Sequence, residues 1–468
     1  MSAAEIGPET IEILESLTVE SHVGVLLGAG ASAAAGLPDW NTFAVELLTA
    51  SEAIPDHATA RAFLAGQDPA IVAEAAKDAA GTAWPALLES ALYGDTPVDP
   101  APLHTAAAAL AEKRGPEAIS LFTLNYDNLF EAALRNVLDD LGRSTEVFSR
   151  EKSRPRAPRG AYEVHHLHGF LPPGAATADS VVLTLSDYNE LGQRQPAWQL
   201  SALHESLQKG PLILAGTSYR DPDIRQWIHD LTSDDPQAEV LVFLAREGMG
   251  LDRAQFERVE TALKNQWSAL GVQVIATHDY TDAAQALREL PHLGEAGYQP
   301  PRHRAAALWE KNLAEFSLFQ QADSDELDHD LAILQELLPA FENLTLWLAD
   351  GAGALVRWCA NDRIYRHPGH LRRALPGHDS PWIAGQCIGR NDLLIREIPQ
   401  PAPTTRWHSV AAAPLVAELP GGPPLPCGVI SAASTTSIAD AQIDEVNTVF
   451  AELSEKWSLL LQTRMVPL

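Results

Sequence analysis

Cysteine is scarce in this sequence and poorly placed for metal or disulfide chemistry. The three cysteines, Cys359, Cys387 and Cys427, fall late in the chain and far apart. They form no CxxC pair, so neither a zinc ribbon nor a disulfide framework is implied, no metal is expected, and a reducing compartment fits. No apolar run reaches the ~20 residues of a membrane span. The opening stretch MSAAEIGPETIEILESLTVE is acidic and amphipathic rather than a signal peptide, and a cytoplasmic location is expected. Basic residues are also few: 33 Lys and Arg against 62 Asp and Glu give a formal net charge of -29. A surface this acidic repels nucleic acid and anionic membrane, and neither is expected as a partner.

What is present is a globular composition. The 468 residues are 46% hydrophobic and 20% charged, enough for two or three domains with their own cores. PETIEILESL reads as a helix, with Ile11, Ile13, Leu14 and Leu17 at helical spacing, and the strand Val23–Leu27 follows. From Trp40 to about Gly115 the pattern is helical and Ala-rich. AISLFTLN is a second buried strand, followed by the helix DNLFEAALRNVLDDLG. SREKSRPRAPRG reads as a basic, solvated connection. YEVHHLHGFL is a strand running into a loop, DSVVLTLSDYNEL a strand and then a helix start, and GPLILAGTSYRDPDIRQWI a strand, loop and helix. AEVLVFLAR and GVQVIAT are two more apolar strands. Short apolar strands alternating with helices predict a doubly wound, parallel α/β sheet with ligands at the carboxyl ends of its strands.

Around residues 296–330 the pattern changes to a Pro pair and acidic, helix-like sequence. The expected division is a first domain over 1–295, a helical linker over 296–330 and a second domain over 331–468. In the second, LTLWLADGAGALVRWCA reads as a hairpin turning near Asp350-Gly351, and SVAAAPLVAELPGGPPLPCGVISAAS as another. An amphipathic helix closes the chain. A smaller α+β domain with an antiparallel sheet is expected there.

The chemistry concentrates at strand ends of the first domain. Gly28-Ala29-Gly30-Ala31-Ser32-Ala33 follows a strand and fits G-x-G-x-x-A, a loop that lets backbone and a helix N-terminus approach a phosphate. No Gly-Lys-Ser/Thr follows, which argues against an ATPase loop. A dehydrogenase would place an acidic residue at the end of a second strand roughly 20 residues on. Here the chain runs instead through GLPDWNTFAVELL. Thr123, Asn125 and Asp127 fall at the end of a second strand, His168-Gly169 at the end of another, and Gly216, Thr217 and Ser218 at the end of a third. Asn125 has the alternative of capping the helix that follows, as do Ser218 and Asp221. His165 and His166 read as structural, one toward the core and one exposed.

In this order the four loops resemble the motif set of the sirtuin family. LNYDNLFE, HLHG and GTSYRDPDIR resemble in particular the branch found in bacterial antiphage NAD hydrolases, over about Thr10 to Thr277. The resemblance implies a Rossmann-like, NAD-binding catalytic domain. Gly28, Ala29, Gly30 and Ser32 would cradle the diphosphate and its ribose, and Asp39 would lie beside the nicotinamide pocket. Asn125 and Asp127 would bind the carboxamide and order water near the anomeric carbon. His168 would be the base, and Gly216, Thr217 and Ser218 would form the adenosine side. The sequence departs from the family's deacylases: no four-cysteine zinc module is possible, a helical segment stands in its place, and Trp40-Asn41 follows Pro-Asp where Phe-Arg is usual. Water is therefore the expected acceptor, making the chain a regulated NAD⁺ glycohydrolase of bacterial antiphage defence. The alternatives are a silent NAD or ADP-ribose sensor, and a protein ADP-ribosyltransferase or deacylase. TTRWHSVAAAPLVAELPGGPPLPCGVISAAS resembles the late strands of a GAF domain, with coverage over about 330–468. That resemblance implies a small-ligand sensor or dimerisation module, hence a small-molecule or protein activator and a homo-oligomer. Cys387 and Cys427 read there as small buried apolar residues.

Overall fold

A computed structural model describes residues 3–18, 21–94, 97–152, 155–193, 197–217, 221–235, 237–398 and 406–465. The chain forms two compact units, Leu17–Ala276 and Met1–Ser16 with Thr277–Leu468.

The first unit is built on seven strands: β1 (Val23–Leu27), β2 (Ile119–Thr123), β3 (Val147–Arg150), β4 (Tyr162–His166), β5 (Leu212–Ala215), β6 (Val240–Ala245) and β7 (Val272–Thr277). They lie in the order β3-β4-β2-β1-β5-β6-β7. Each pairing from β3 through β6 is parallel. β1, β5 and β6 are buried at every position, because helices cover both faces of such a sheet; that is why their sequences are apolar runs rather than alternations. From β1 the chain proceeds to β2 on one side, and from β5 to β6 on the other. The crevice where those connections diverge is the expected ligand position in a doubly wound sheet.

Two glycines make that crevice possible. Gly28 follows β1 and Gly216 follows β5. A Cβ on Gly28 would stand 2.7 Å from Gly216 O and 2.8 Å from the Cα of Thr217. Gly216 has φ +68°, and its Cβ would stand 2.7 Å from Ala31 N. Gly28 N donates to Ala215 O at 2.9 Å and Gly30 N to Gly216 O at 2.8 Å. The bare backbones thus serve first to let the two loops interlock.

Between β1 and β2 lie the helices Trp40–Ala50, His57–Leu64, Pro69–Ala80, Trp84–Tyr93 and Pro102–Arg114. The first three begin at aspartates, Asp39, Asp56 and Asp68, whose carboxylates accept from backbone N–H groups of the opening turn. Phe43, Leu47, Leu48, Leu64, Val72 and Leu88 build a core there that also takes in Tyr126, Leu129, Leu171, Val181 and Leu183. The loops after β2 and β4 are thereby anchored in the helical insert.

Two sequence expectations are corrected. Val181–Leu183 was expected as a strand, but it joins no ladder. Val181 and Leu183 are buried, while Val182 N donates to His168 O and Val182 O accepts from the Tyr126 hydroxyl, both at 2.8 Å. Loop partners satisfy the backbone that a neighbouring strand would otherwise hold. Conversely, the stretch assigned to a solvated connection begins inside the edge strand β3, where Arg150 is only 8% exposed and pairs with Glu163 at 3.3 Å.

The second unit carries β8 (Phe341–Ala349), β9 (Leu355–Ala360), β10 (Arg373–Ala374), β11 (Leu394–Glu397), β12 (Ser409–Ala417) and β13 (Leu425–Ser434). They form an antiparallel sheet in the order β10-β9-β8-β13-β12-β11. The β8–β9 hairpin turns at Asp350-Gly351, where Asp350 Oδ1 accepts from Ala352 N and Ala354 N at 2.8 and 2.9 Å. β13 is buried almost throughout. The helices Phe316–Leu337, Ile383–Arg390 and Ile443–Arg464 pack on the sheet, contributing Leu327, Leu334, Ile388, Phe450 and Trp457 to its core. Two indole N–H groups tie helix to helix and helix to strand: Trp457 donates to Asp330 at 2.9 Å and Trp358 to Asp323 at 2.7 Å. All three cysteines are buried, and burial pushes the Cys427 thiol up to about 12. Among the described residues no helix is long and apolar enough to cross a membrane.

Two substitutions test this packing. Gly216→Ala puts a Cβ at a positive φ against Ala31 N and is expected to cost about 1–3 kcal/mol, read as a lower urea midpoint for the first unit. Arg304 and Glu289 pair with both side chains fully buried. Arg304→Leu strands the carboxylate and is expected to cost about 3–5 kcal/mol, with most of it recovered when Glu289 is also made Leu. Differential calorimetry checks this, and equal losses in the single and double variants would contradict it.

Candidate active site

The loop after β2 is pinned before its side chains do anything. Leu124 N donates to Leu27 O at 3.0 Å, and Asn125 N donates to the Thr123 hydroxyl, also at 3.0 Å. So held, Asn125 turns its side chain toward the glycine loop. Its Nδ2 donates to Gly28 O at 3.1 Å and to Ser32 Oγ at 2.7 Å. Ser32 Oγ in turn donates to Asp127 Oδ2 at 2.7 Å. Asp127 Oδ1 accepts from Leu129 N at 3.0 Å, the first N–H of the following helix, whereas Asn125 does not cap it. All three side chains are buried. Four predicted residues, Gly28, Ser32, Asn125 and Asp127, therefore form one hydrogen-bonded group across the ends of β1 and β2.

The other predicted residues are placed as follows. Ala29 is exposed and Gly30 buried on the same turn. Thr217 follows Gly216 across the crevice, and its hydroxyl is buried without a hydrogen-bond partner. Asp39 is exposed and caps the helix Trp40–Ala50, accepting from Thr42 N at 2.7 Å. No hydrogen bond among the described residues joins it to the Asn125 group. Ser218 lies outside the described residues.

His168 is 2% exposed, just beyond β4. The glycine after it has φ +94°, and a Cβ there would meet Ser180 O at 2.0 Å. Around the ring stand Tyr188 and Trp227, with centroids at 5.5 and 5.7 Å. Its polar partners come from the segment after β5. Asp223 Oδ2 lies 3.1 Å from Nε2, and Asp221 Oδ2 lies 3.9 Å from Nδ1. Burial pulls the imidazole down, but the charge of Asp221 and the hydrogen bond and charge of Asp223 outweigh it, leaving His168 above the ordinary histidine value. Asp221 also caps the helix Pro222–Asp234 through Ile224 N at 2.9 Å.

Sequence reasoning left Asp221 structural and passed over Asp223. The available signal was two aspartates flanking the proline that opens a helix: one caps it, and the other is free to face elsewhere. Such an arrangement can orient an imidazole and tune its proton affinity at the end of a strand.

Comparison with known proteins agrees with this part of the chain. Residues 119–275 match a family described as SIR2-like domain. No curated protein matches. One similar solved structure is that of a Sir2 homolog–NAD complex, at 14% identity over 61% of this chain and 94% of that one, with a TM-score of 0.32. A Burkholderia vietnamiensis protein described as a GAF sensor is similar at 16% identity over 34% of this chain and 90% of that one, with a TM-score of 0.22. The segment from β2 into β7 is thus similar to a SIR2-like domain.

Proposed function

We propose that the SIR2-like unit binds NAD⁺ and hydrolyses its nicotinamide–ribose bond. The observation that carries this reading is the gathering of the Asn125–Ser32–Asp127 chain across the ends of β1 and β2, on the glycine loop that interlocks with the loop after β5. The unpartnered Thr217 hydroxyl is a further group there suited to a ligand oxygen. The Gly28–Ala29–Gly30 turn and Ser32 are assigned to the diphosphate and its ribose, and Gly216, Thr217 and Ser218 to the adenosine side. Asp39 is assigned to the edge of the nicotinamide pocket.

The reaction is NAD⁺ + H₂O → ADP-ribose + nicotinamide + H⁺. The C–N bond breaks with its electron pair going to the pyridinium nitrogen, so nicotinamide leaves neutral. The anomeric carbon passes through an oxocarbenium-like state and gains the oxygen of water. Asn125 can orient both the carboxamide and that water, and the Asp127 carboxylate places negative charge near the developing cation. His168, once deprotonated, accepts the proton, an effect typically worth roughly 10²–10⁴-fold. Asp223 holds the ring in place. A chain that destroys NAD⁺ needs restraint; residues 331–468 are the proposed regulatory module, and antiphage defence by NAD⁺ depletion, in the cytoplasm and in an oligomer, is the proposed setting.

The test is incubation of the purified chain with NAD⁺ and separation of products. Free nicotinamide and ADP-ribose are expected, with Asn125→Ala and His168→Ala each lowering the rate by roughly 10²–10⁴-fold. NAD⁺ that binds but stays intact under every activating condition would make the unit a sensor, and label on protein would make it a transferase. The pH profile adds a signed prediction. The carboxylates hold the His168 pKa up, so activity rises as pH climbs through that raised value. Asp223→Asn removes one charge, lowers the pKa and moves the acidic limb to lower pH; an unmoved limb would contradict Asp223 as the partner of the base.

A further inference from the structure

The peptide of Asn125 hangs on two side chains that the sequence presents as ordinary. His166 closes β4, and Glu131 sits in the first turn of the helix Leu129–Asp140; both are completely buried. His166 Nδ1 lies 3.0 Å from the carbonyl oxygen of Asn125, and Nε2 lies 2.7 Å from Glu131 Oε1. A carbonyl oxygen only accepts, and so does a carboxylate. A neutral imidazole has one N–H and would turn a lone pair on one of these two oxygens. The second proton must sit either on the ring or on Glu131.

The surroundings of Glu131 decide between them. Oε1 already accepts from His166 and, at 2.5 Å, from Ser149 Oγ of β3. Oε2 is buried with no hydrogen-bond partner, so a carboxyl proton placed there would have no acceptor. A buried orphan donor is rarer and costlier than an under-used oxygen. A proton on Oε1 would be shared with Nε2, where the imidazole is the stronger base and the Ser149 hydroxyl already stabilises the charged carboxylate. The ring therefore takes the proton. Burial disfavours both charges, yet the mutual attraction and hydrogen bonds prevail: His166 is held above the ordinary histidine value and Glu131 below the ordinary carboxylate value.

We propose that His166 and Glu131 are a buried imidazolium–carboxylate pair that positions Asn125. The pair fixes the Asn125 carbonyl while the Thr123 hydroxyl fixes its N–H. With both ends of the residue held, the carboxamide is aimed at Gly28 O and Ser32 Oγ rather than left to rotate. Ser149 extends the clamp to the edge strand, so β3, β4 and the helix Leu129–Asp140 converge on one peptide. His166 and Glu131 are positioning residues here, not catalytic ones. The consequence for turnover rests on the NAD⁺ reading above; the clamp itself does not.

The full-length chain carrying ¹⁵N-histidine tests the pair directly. At about pH 8, well above the ordinary histidine value near 6.5, one histidine is expected to keep both ring nitrogens protonated. That signal should vanish in His166→Gln and revert to the neutral form in Glu131→Gln. A singly protonated His166 in the parent overturns the pair. Hydrogen exchange then reads positioning without any activity: amides of residues 124–128 should exchange about tenfold faster in both variants, with β5 and β6 at parental rates. Unchanged exchange in that loop overturns the positioning role. If the parent cleaves NAD⁺, kcat should fall about tenfold to a hundredfold, the scale of a misplaced reacting group, with KM nearly unchanged; an unchanged kcat also overturns it. A parent that does not cleave NAD⁺ leaves the first two measurements, which need no turnover, to judge the clamp. Should Glu131→Gln fail to fold, Ser149→Ala removes one donor to Glu131, raises that carboxylate's proton affinity and moves the shared proton toward it, so the doubly protonated His166 signal should weaken; an unchanged signal counts against the pair.

Discussion

Backbone contact at Gly28 and Gly216 is the constraint on which the site rests. β1 and β5 are neighbours whose connections diverge, and their loops meet at a spacing that admits no Cβ on either side. The interlock uses the N–H groups of Gly28 and Gly30 on carbonyls of the β5 loop. It carries Ser32 to Asp127 and Asn125, and it leaves the Thr217 hydroxyl buried beside the same crevice without a protein partner. Replacing either glycine would separate the loops before any question of ligand arose.

Charge sets the second constraint. The chain carries a net charge of -29; at the strand ends Asp127 faces Ser32, and Asp221 and Asp223 face His168. Such a site suits a cationic reacting centre. A diphosphate in this setting would depend on backbone dipoles of the loop after β1 rather than on side-chain cations. Two buried histidines respond to this field differently. His168 meets two carboxylates, one that caps a helix and one in its first turn. His166 meets one carboxylate and one carbonyl in complete burial, where a proton serves geometry.

Much of this was legible in the sequence, for a physical reason. β1, β2, β5 and β6 announced themselves because a sheet covered on both faces demands short unbroken apolar runs. Gly28, Asn125, Asp127 and His168 were legible because each sits just past such a run. β3 was missed because an edge strand of four residues, Val-Phe-Ser-Arg, is too short for a pattern and runs straight into a basic segment. Val181–Leu183 was misread because burial alone produces the same apolar pattern as a ladder. The partners of Asp223 and of Glu131 were not readable because they lie 55 and 35 residues away in sequence. The helical insert was legible as helices, but not as the core that anchors Tyr126 and Leu183 beside the site.

The central claim is that the crevice between β1 and β5 is a nucleotide site with Asn125 and His168 at its reactive end. A crystal structure of the full-length chain with ADP-ribose tests it most directly. The account predicts the diphosphate over the Gly28–Ser32 turn, a ligand oxygen on the Thr217 hydroxyl, and the terminal ribose between Asn125 and His168. ADP-ribose bound elsewhere, with that crevice untouched, would contradict it.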